Sequence, residues 1–247
     1  MRLEQAEVRI EDFLHHFSLT EESLKFLHEA CSRGYYGIVK ALLTLPGIKI
    51  DELDENECSP LCIAIKDEHF DIAKALIEAG ADANGGSGPY GSPLHLAVVR
   101  ADLQITDMLI KRGAEVNVAD LDGNTPLHFV MNVFTKGETK YKAIAESLMM
   151  SGAKPNSRNK EFWGPLHIAA RKGYLEAIKW AKMVNVILAE LNMETFDFNF
   201  GGGAQKWSIL HLASCSGHQK VVEEILDWDK EIPINVFART IENRTAR

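Results

Sequence analysis

A short motif recurs along this chain at nearly constant spacing, and it constrains the fold more strongly than any other feature of the sequence. Its clearest copies read S-P-L-H, T-P-L-H, G-P-L-H and S-I-L-H, and two weaker copies precede them. The motifs end at His28, Cys62, His95, His128, His167 and His211. The steps between these positions are 34, 33, 33, 39 and 44 residues. Such a period predicts an array of similar units, each stacked on its neighbours.

Within each repeat, the apolar residues predict two helices. A small residue stands two positions after most of the motifs, as at Ala97 and Ala169, and it would let the two helices of a repeat approach closely. Apolar pairs follow with the i, i+1, i+4, i+5 spacing of one buried helical face, for example at 72–73 and 76–77. Three repeats carry a glycine six positions after the motif, which predicts a left-handed end to the first helix. These glycines are Gly34, Gly173 and Gly217.

The motif T-P-L-H, the period near 33 and the G-A-D-A-N sequence at 80–84 resemble those of the ankyrin-repeat family over nearly all of the chain. The resemblance implies an all-α solenoid of helix-turn-helix units joined by β-turn fingers. It also implies a structural role for the motif histidines, whose imidazoles would bond to backbone and to a hydroxyl of the neighbouring repeat.

Six full repeats are expected, at about 21–53, 54–86, 87–119, 120–158, 159–201 and 202–238. Residues 1–20 carry apolar residues on one helical face and are interpreted as an N-terminal capping helix, with a partner-docking helix as the alternative. Residues 239–247 are similar to the start of a seventh repeat. The chain is therefore interpreted as the N-terminal piece of a longer protein.

Two repeats are longer than the period allows. Repeat four has about six extra residues around 133–141, between its two helices. Repeat five has about ten extra residues, and the stretch 175–193 predicts one extended helix because it contains few helix-breaking residues. Its apolar stripe, which includes Val184, Ile187 and Leu191, is interpreted mainly as core packing.

The composition excludes several classes of function. A net charge of −8 does not fit broad nucleic-acid binding, which needs a basic surface. Four irregularly spaced cysteines give no disulfide framework and favour a reducing compartment. The charged N-terminus does not resemble a signal peptide, and no apolar run is long enough to span a membrane. We therefore expect a cytoplasmic or nuclear monomer.

Candidate binding residues follow from the fingers and from the ends of the first helices, which usually form the concave binding surface in ankyrin proteins. Aromatic residues occupy variable finger positions, where they either bind a partner or fold onto their own turn. Basic residues near the helix ends would favour an acidic stretch in the partner, or are simply solvated. The predicted contact residues are Tyr90, Arg100, Asp122, Asn124, Phe162, Trp163, Arg171, Lys172 and Trp207.

The sequence contains no catalytic motif and no complete set of metal ligands, so neither an enzymatic activity nor a cofactor is expected. The favoured function is a protein–protein interaction scaffold that binds a peptide or protein. The alternative is a regulatory or targeting module of a larger enzyme or channel. Asn117, with Leu109 and Glu115 before it, also resembles the pattern that asparagine hydroxylase modifies in ankyrin repeats, although the same residues serve the fold.

Overall fold

The structure of the protein is a computed structural model, which describes residues 21–228 except 87, 135–138, 192, 200 and 204–205. The chain divides into two compact units, an N-terminal unit up to Glu115 and a C-terminal unit from Val116 onward. The predicted capping helix at 1–20 and the predicted start of a seventh repeat at 239–247 lie outside the described residues.

The N-terminal unit consists of three helix pairs. The first helices, α1, α3 and α5, stack on one another in chain order, and the second helices, α2, α4 and α6, form a second layer. Leu61, Ile72, Leu94 and Ile105 are fully buried in this unit. The helices are α1 (Glu21–Ser32), α2 (Tyr36–Leu43), α3 (Pro60–Lys66), α4 (Phe70–Glu78), α5 (Pro93–Val99) and α6 (Leu103–Lys111).

The C-terminal unit repeats this arrangement, with longer second helices in its first two repeats. Its first helices, α7, α9 and α11, pack in order, and α10 packs on α12. The described residues contain no β-strand, only one antiparallel bridge between Gly202 and Trp207. The protein is therefore an all-α repeat fold, as the sequence predicts. The helices are α7 (Pro126–Val133), α8 (Thr139–Met150), α9 (Pro165–Lys172), α10 (Leu175–Glu190), α11 (Ile209–Cys215) and α12 (Gln219–Asp227).

The motif histidine fixes the start of four first helices, α5, α7, α9 and α11, as α7 shows. The Thr125 N–H donates to Nδ1 of His128 at 3.1 Å, and the Thr125 hydroxyl lies 2.9 Å from the same nitrogen. Because Nδ1 accepts, the neutral ring carries its proton on Nε2, which donates to the carbonyl of Trp163 at 3.0 Å. The expectation of a hydroxyl from the neighbouring repeat was wrong. The hydroxyl belongs to the helix's own N-cap, three residues away, and the neighbouring repeat supplies a carbonyl.

A glycine and a histidine from consecutive repeats close the other end of the first helix. Gly173 ends α9 with a φ of +74°, and the His218 ring packs so tightly over it that a Cβ would come within 2.5 Å of Nδ1. His218 Nε2 also lies 2.8 Å from the carbonyl of Arg171. In the N-terminal unit, His69 makes the equivalent contact at 3.0 Å with the carbonyl of Ser32. This pairing locks the last turn of one repeat onto the next repeat.

The predicted extended helix is present as α10, which has 16 residues. Ile178, Ala181, Val184 and Leu188 are buried, so most of its apolar stripe is core, as predicted. Ile187 and Leu191 are the exceptions, at 46% and 50% exposed. The reason is geometric, because the neighbouring α12 has only nine residues and the last turns of α10 extend past it.

The extra residues of repeats four and five build an aromatic core. The Trp180 ring on α10 lies 5.8 Å from Phe134 and 5.9 Å from Phe196, measured between ring centroids. The Asn185 amide accepts the Phe196 N–H at 2.8 Å and donates to the Phe196 carbonyl at 2.9 Å. The inserted segment is thereby held against α10, and it increases the buried apolar area of the unit.

The four thiols differ in accessibility. Cys31, Cys58 and Cys62 are buried, whereas Cys215 at the end of α11 is exposed. Burial raises the pKa of the Cys31 thiol to about 12. Burial, together with the nearby carboxylate of Asp54, also raises the pKa of Cys58. The thiolate is the reactive form of cysteine. These two thiols therefore react slowly for two reasons, because burial blocks reagents and because a raised pKa keeps the thiol protonated.

We therefore expect one fast-reacting thiol in the native protein. Titration with a chromogenic disulfide reagent near pH 8 should modify Cys215 rapidly and the other three cysteines only after addition of denaturant. A Cys215→Ser variant should show no rapid phase. Rapid reaction of two or more thiols in the native protein would contradict the burial of the other three.

Candidate binding site

Two neighbouring fingers in the C-terminal unit share one backbone design. Finger four (residues 120–124) begins with Asp120, whose Oδ1 accepts the N–H groups of Asp122 and Asn124 at 2.8 and 2.7 Å. Finger five (residues 159–163) begins with Asn159, whose Oδ1 accepts two N–H groups in the same way, at 3.1 and 2.9 Å. These side-chain turns fix the shape of each finger tip without help from a sheet.

The two fingers are joined to each other. The Lys160 N–H donates to the carbonyl of Asp122 at 2.8 Å, and the Asn159 amide donates to Asn124 Oδ1 at 2.9 Å. Gly123 has a φ of +81°, and a Cβ there would come within 2.9 Å of the Lys160 nitrogen. Only glycine suits this position, because the backbone is left-handed and the neighbouring finger is in close contact.

An open pocket of about 280 Å³ lies between fingers four and five and their helices α7 and α9. Four of the predicted contact residues line it, namely Asp122, Asn124, Trp163 and Arg171. Sequence reasoning also placed Asn132 on the concave face, but it missed Phe129 and Ile168. These two residues stand one position after the motif histidine in consecutive repeats and could have been found from that register. The remaining lining residues are His128, Phe129, Asn132, Asn159, Lys160, Glu161 and Ile168.

Phe162 stands beside this pocket in an unfavourable backbone conformation. Its φ is +63°, and its side chain is 55% exposed. Finger four has Gly123 at the equivalent position, where the left-handed conformation carries no steric cost. A non-glycine residue there is disfavoured by about 1–2 kcal/mol. The finger keeps a large apolar side chain in water at a position that suits glycine, and neither burial nor backbone geometry accounts for it.

The two tryptophans are partly buried rather than fully exposed. The Trp163 ring lies 5.7 Å from the His167 ring, and a Cβ on Gly203 would come within 2.7 Å of it. The indole therefore packs against finger six (residues 203–207), while the residue also lines the pocket. The backbone of Trp207 pairs with Gly202 through two hydrogen bonds of 2.8 Å. Both tryptophans therefore contribute to the fold, and part of each residue remains exposed to solvent.

The predicted basic residues differ in their surroundings. Arg171 is exposed in the last turn of α9 and lines the pocket. Lys172 donates to the carbonyl of Asn132 at 3.2 Å and so connects α9 to α7. Arg100 belongs to the N-terminal unit, where its guanidinium pairs with Glu68 at 3.1 Å. Tyr90, also in that unit, is 45% exposed, with the Lys66 ammonium 5.6 Å from its ring.

Asn117 joins two repeats through its side chain. Its amide donates to the Gly152 carbonyl at 2.9 Å, and its Oδ1 accepts the Lys154 N–H at 2.7 Å. Asn84 and Asn156 form the same pair of bonds to the next repeat. The residue is therefore a turn former in the fold, and its hydroxylation stays a prediction.

We expect Asn117→Ala to lower the free energy of unfolding of the C-terminal unit by about 1–2 kcal/mol, because it leaves an N–H and a carbonyl to be satisfied by water alone. Urea unfolding followed by tryptophan fluorescence measures this, since all four tryptophans lie in that unit. Ser151→Ala is a control at an exposed neighbouring position. An unchanged midpoint for Asn117→Ala would show that the bridge contributes nothing.

The described residues include no helix that is both long enough and apolar enough to cross a bilayer. In the same part of the chain, no three His, Cys, Asp or Glu side chains converge as a metal site would require.

The stacked helix pairs and their fingers define a helical repeat protein, and comparison with known protein families identifies the kind of repeat. A family model described as ankyrin repeats (3 copies) matches residues 27–120 and 127–237. The chain belongs to the ankyrin-repeat family. Ankyrin repeats are generally protein–protein interaction modules, and the family is typically non-catalytic.

Two similar proteins share parts of this chain. Ankyrin repeat and KH domain-containing protein mask of Drosophila melanogaster is 32% identical over 65 residues, which are 26% of this chain and 2% of that protein. Ankyrin repeat and SOCS box protein 16 of Homo sapiens is 43% identical over 58 residues, which are 24% of this chain and 13% of that protein. The matched parts are thus a small fraction of either relative.

Proposed function

We propose that the protein is an interaction scaffold, and that its C-terminal unit binds a peptide or protein segment at the pocket between fingers four and five. The observation that supports this most directly is Phe162, an exposed aromatic residue in a left-handed conformation between Glu161 and Trp163, which both line the pocket. Strained residues persist where function requires them, and exposed aromatics are enriched in binding hot spots.

The geometry of the pocket is consistent with this role. Its apolar side chains come from α7, α9 and finger five, and hydrogen bonds between the fingers hold them in place before any partner arrives. A preformed site reduces the ordering cost of association. Trp163 and Asn124 line the pocket itself. Trp207 in the same unit, and Tyr90 in the N-terminal unit, remain proposed contacts of their own units.

Selection of random dodecapeptides against the full chain tests the proposal. Enriched peptides should bind the protein and should lose at least about tenfold in affinity when Ile168→Glu places a charge in the pocket. Val186→Glu, on the exposed side of α10, is the matched control because it adds the same charge to an exposed apolar position. Peptides that bind both variants equally would place the binding surface elsewhere, and failure to enrich any peptide would oppose the scaffold function.

Exposed cations near the pocket should make association depend on salt. We expect the association rate of an enriched acidic peptide to fall several-fold between about 50 and 500 mM salt. The reason is that salt screens the attraction between the peptide and the positive charges of Arg171 and Lys172. Stopped-flow fluorescence measures the rate, and Arg171→Gln should flatten the dependence. Arg100→Gln is a control, since Glu68 already pairs with Arg100. A rate independent of salt would oppose an electrostatic contribution.

A second function follows from the size of the relatives. Both are far longer than their matched parts, and their names include a KH domain and a SOCS box. We therefore also propose that this array serves as a regulatory or targeting module of a larger protein. The sequence of the full-length transcript tests this directly.

A further inference from the structure

The pocket between fingers four and five carries opposite charges at its two ends. At one end, the finger tips contribute the carboxylates of Asp122 and Glu161 and the ammonium of Lys160. At the other end, the last turn of α9 contributes Arg171, beside Lys172. The finger end is therefore net acidic and the helix end is basic.

Apolar side chains occupy the space between these ends. Phe129 and Ile168 are equivalent residues on α7 and α9, and Trp163 adds its indole. A volume of about 280 Å³ is just below the usual range for drug-sized ligands. It suits a single aliphatic or aromatic side chain rather than the face of a whole helix.

The charges at the pocket ends are available to a partner. Within the described part of the chain, Asp122, Glu161 and Arg171 take part in no ion pair. Arg171 also has a fixed backbone, because its carbonyl bonds to His218 and the turn at Gly173 is covered by the His218 ring. The guanidinium therefore projects from a preorganised turn.

The length of α9 gives the scale of the distance between the two charged ends. Arg171 lies six positions after Pro165, the first residue of α9, which corresponds to a rise of about 9 Å at 1.5 Å per residue. An extended peptide advances about 3.3 Å per residue, so about three residues cover the same distance. A peptide lying along the pocket can thus reach both ends with side chains about three positions apart.

From this arrangement we infer that the pocket recognises an extended segment in which an apolar residue lies between a basic and an acidic residue about three positions apart. The basic residue faces Asp122 and Glu161, the apolar residue fills the space at Phe129 and Ile168, and the acidic residue faces Arg171. The inference rests on the proposed function and specifies the chemistry of the partner. It restricts the expected acidic character of the partner to one side of the apolar residue.

Charge reversal in the full chain tests the inference. The dodecapeptide library is selected separately against four proteins. These are the natural protein, Arg171→Glu, the double variant Asp122→Lys with Glu161→Lys, and the control Lys140→Glu at an exposed position of α8. We expect the natural protein to enrich a base–apolar–acid pattern. Arg171→Glu should replace the acid with Lys or Arg and leave the apolar residue unchanged, whereas the double variant should replace the base. Lys140→Glu should leave the pattern as it is.

A single peptide then gives the quantitative test. Changing the acidic residue of the enriched peptide to lysine should reduce its affinity for the natural protein at least about tenfold, and Arg171→Glu should restore most of that loss. Circular dichroism and the urea midpoint confirm that each variant is folded. A consensus that is acidic on both sides, or one that Arg171→Glu does not change, would overturn the inference while leaving the proposed function intact. If no peptide is enriched, the proposed function and the inference both fail.

Discussion

Replacing Phe162 with glycine should stabilise the C-terminal unit and weaken binding at the same time. The substitution removes a steric cost of about 1–2 kcal/mol at a φ of +63°, and the greater freedom of glycine in the unfolded chain offsets part of it. We expect a net gain of about 0.5–1 kcal/mol in the free energy of unfolding. The loss of an exposed aromatic contact should cost about 2 kcal/mol of binding, which is about 30-fold in Kd.

Because stability should rise while affinity falls, Phe162→Gly separates a binding role of Phe162 from a structural role. A residue that only supports the fold would lose stability when truncated, and a residue with no role would change neither quantity. Lys206→Gly in finger six is the matched control, because Lys206 also has a positive φ of 54° but stands in a finger that contributes no residue to the pocket. It should gain stability and keep the affinity for an enriched peptide. A Phe162→Gly protein that binds as tightly as the natural one would refute the proposed role of Phe162.

Replacing Trp180 with alanine should produce the largest loss of stability in the C-terminal unit. The indole is 4% exposed, contacts two phenylalanine rings, and donates from Nε1 to Glu146 Oε1 at 3.4 Å. Truncation of a buried tryptophan costs about 3–5 kcal/mol, because it removes the transfer free energy of the side chain and leaves a cavity. Denaturant unfolding followed by the fluorescence of the remaining tryptophans measures the change.

Two variants keep this prediction informative if Trp180→Ala does not fold. Trp180→Phe retains an aromatic ring between Phe134 and Phe196 and should cost clearly less. Glu146→Gln keeps an acceptor for Nε1 and should be nearly neutral, since a 3.4 Å hydrogen bond contributes little. Equal losses for Trp180→Phe and Trp180→Ala would mean that packing in the aromatic core is not the source of stability.

The repeat architecture could be derived from the sequence because the recurring signals are local. A proline after a hydroxyl residue, a histidine three positions after the cap, and a glycine six positions after the histidine each act within one or two helical turns. Their periodic recurrence then makes every unit stack in the same way. For the same reason, the extended helix α10 could be predicted from an uninterrupted stretch without helix breakers.

The candidate site was only partly predictable. Asp122, Asn124, Trp163 and Arg171 follow from repeat register, because equivalent positions of neighbouring repeats lie side by side. The positive φ of Phe162 is a property of the folded turn, visible in the sequence only as a missing glycine. The pairing of Arg100 with Glu68 was also not predicted, since those residues are 32 positions apart.

Contacts between repeats, and those of the inserted segments, were decided by the tertiary structure alone. His218 covers Gly173, Asn185 holds Phe196, and Trp180 lies between two phenylalanines from different parts of the unit. None of these pairings has a fixed sequence separation, because the insertions shift the spacing between repeats. The sequence therefore determined each helix pair and its turn through local geometry. Packing against the next repeat decided which side chains became core, which became bridges, and which were left exposed to solvent.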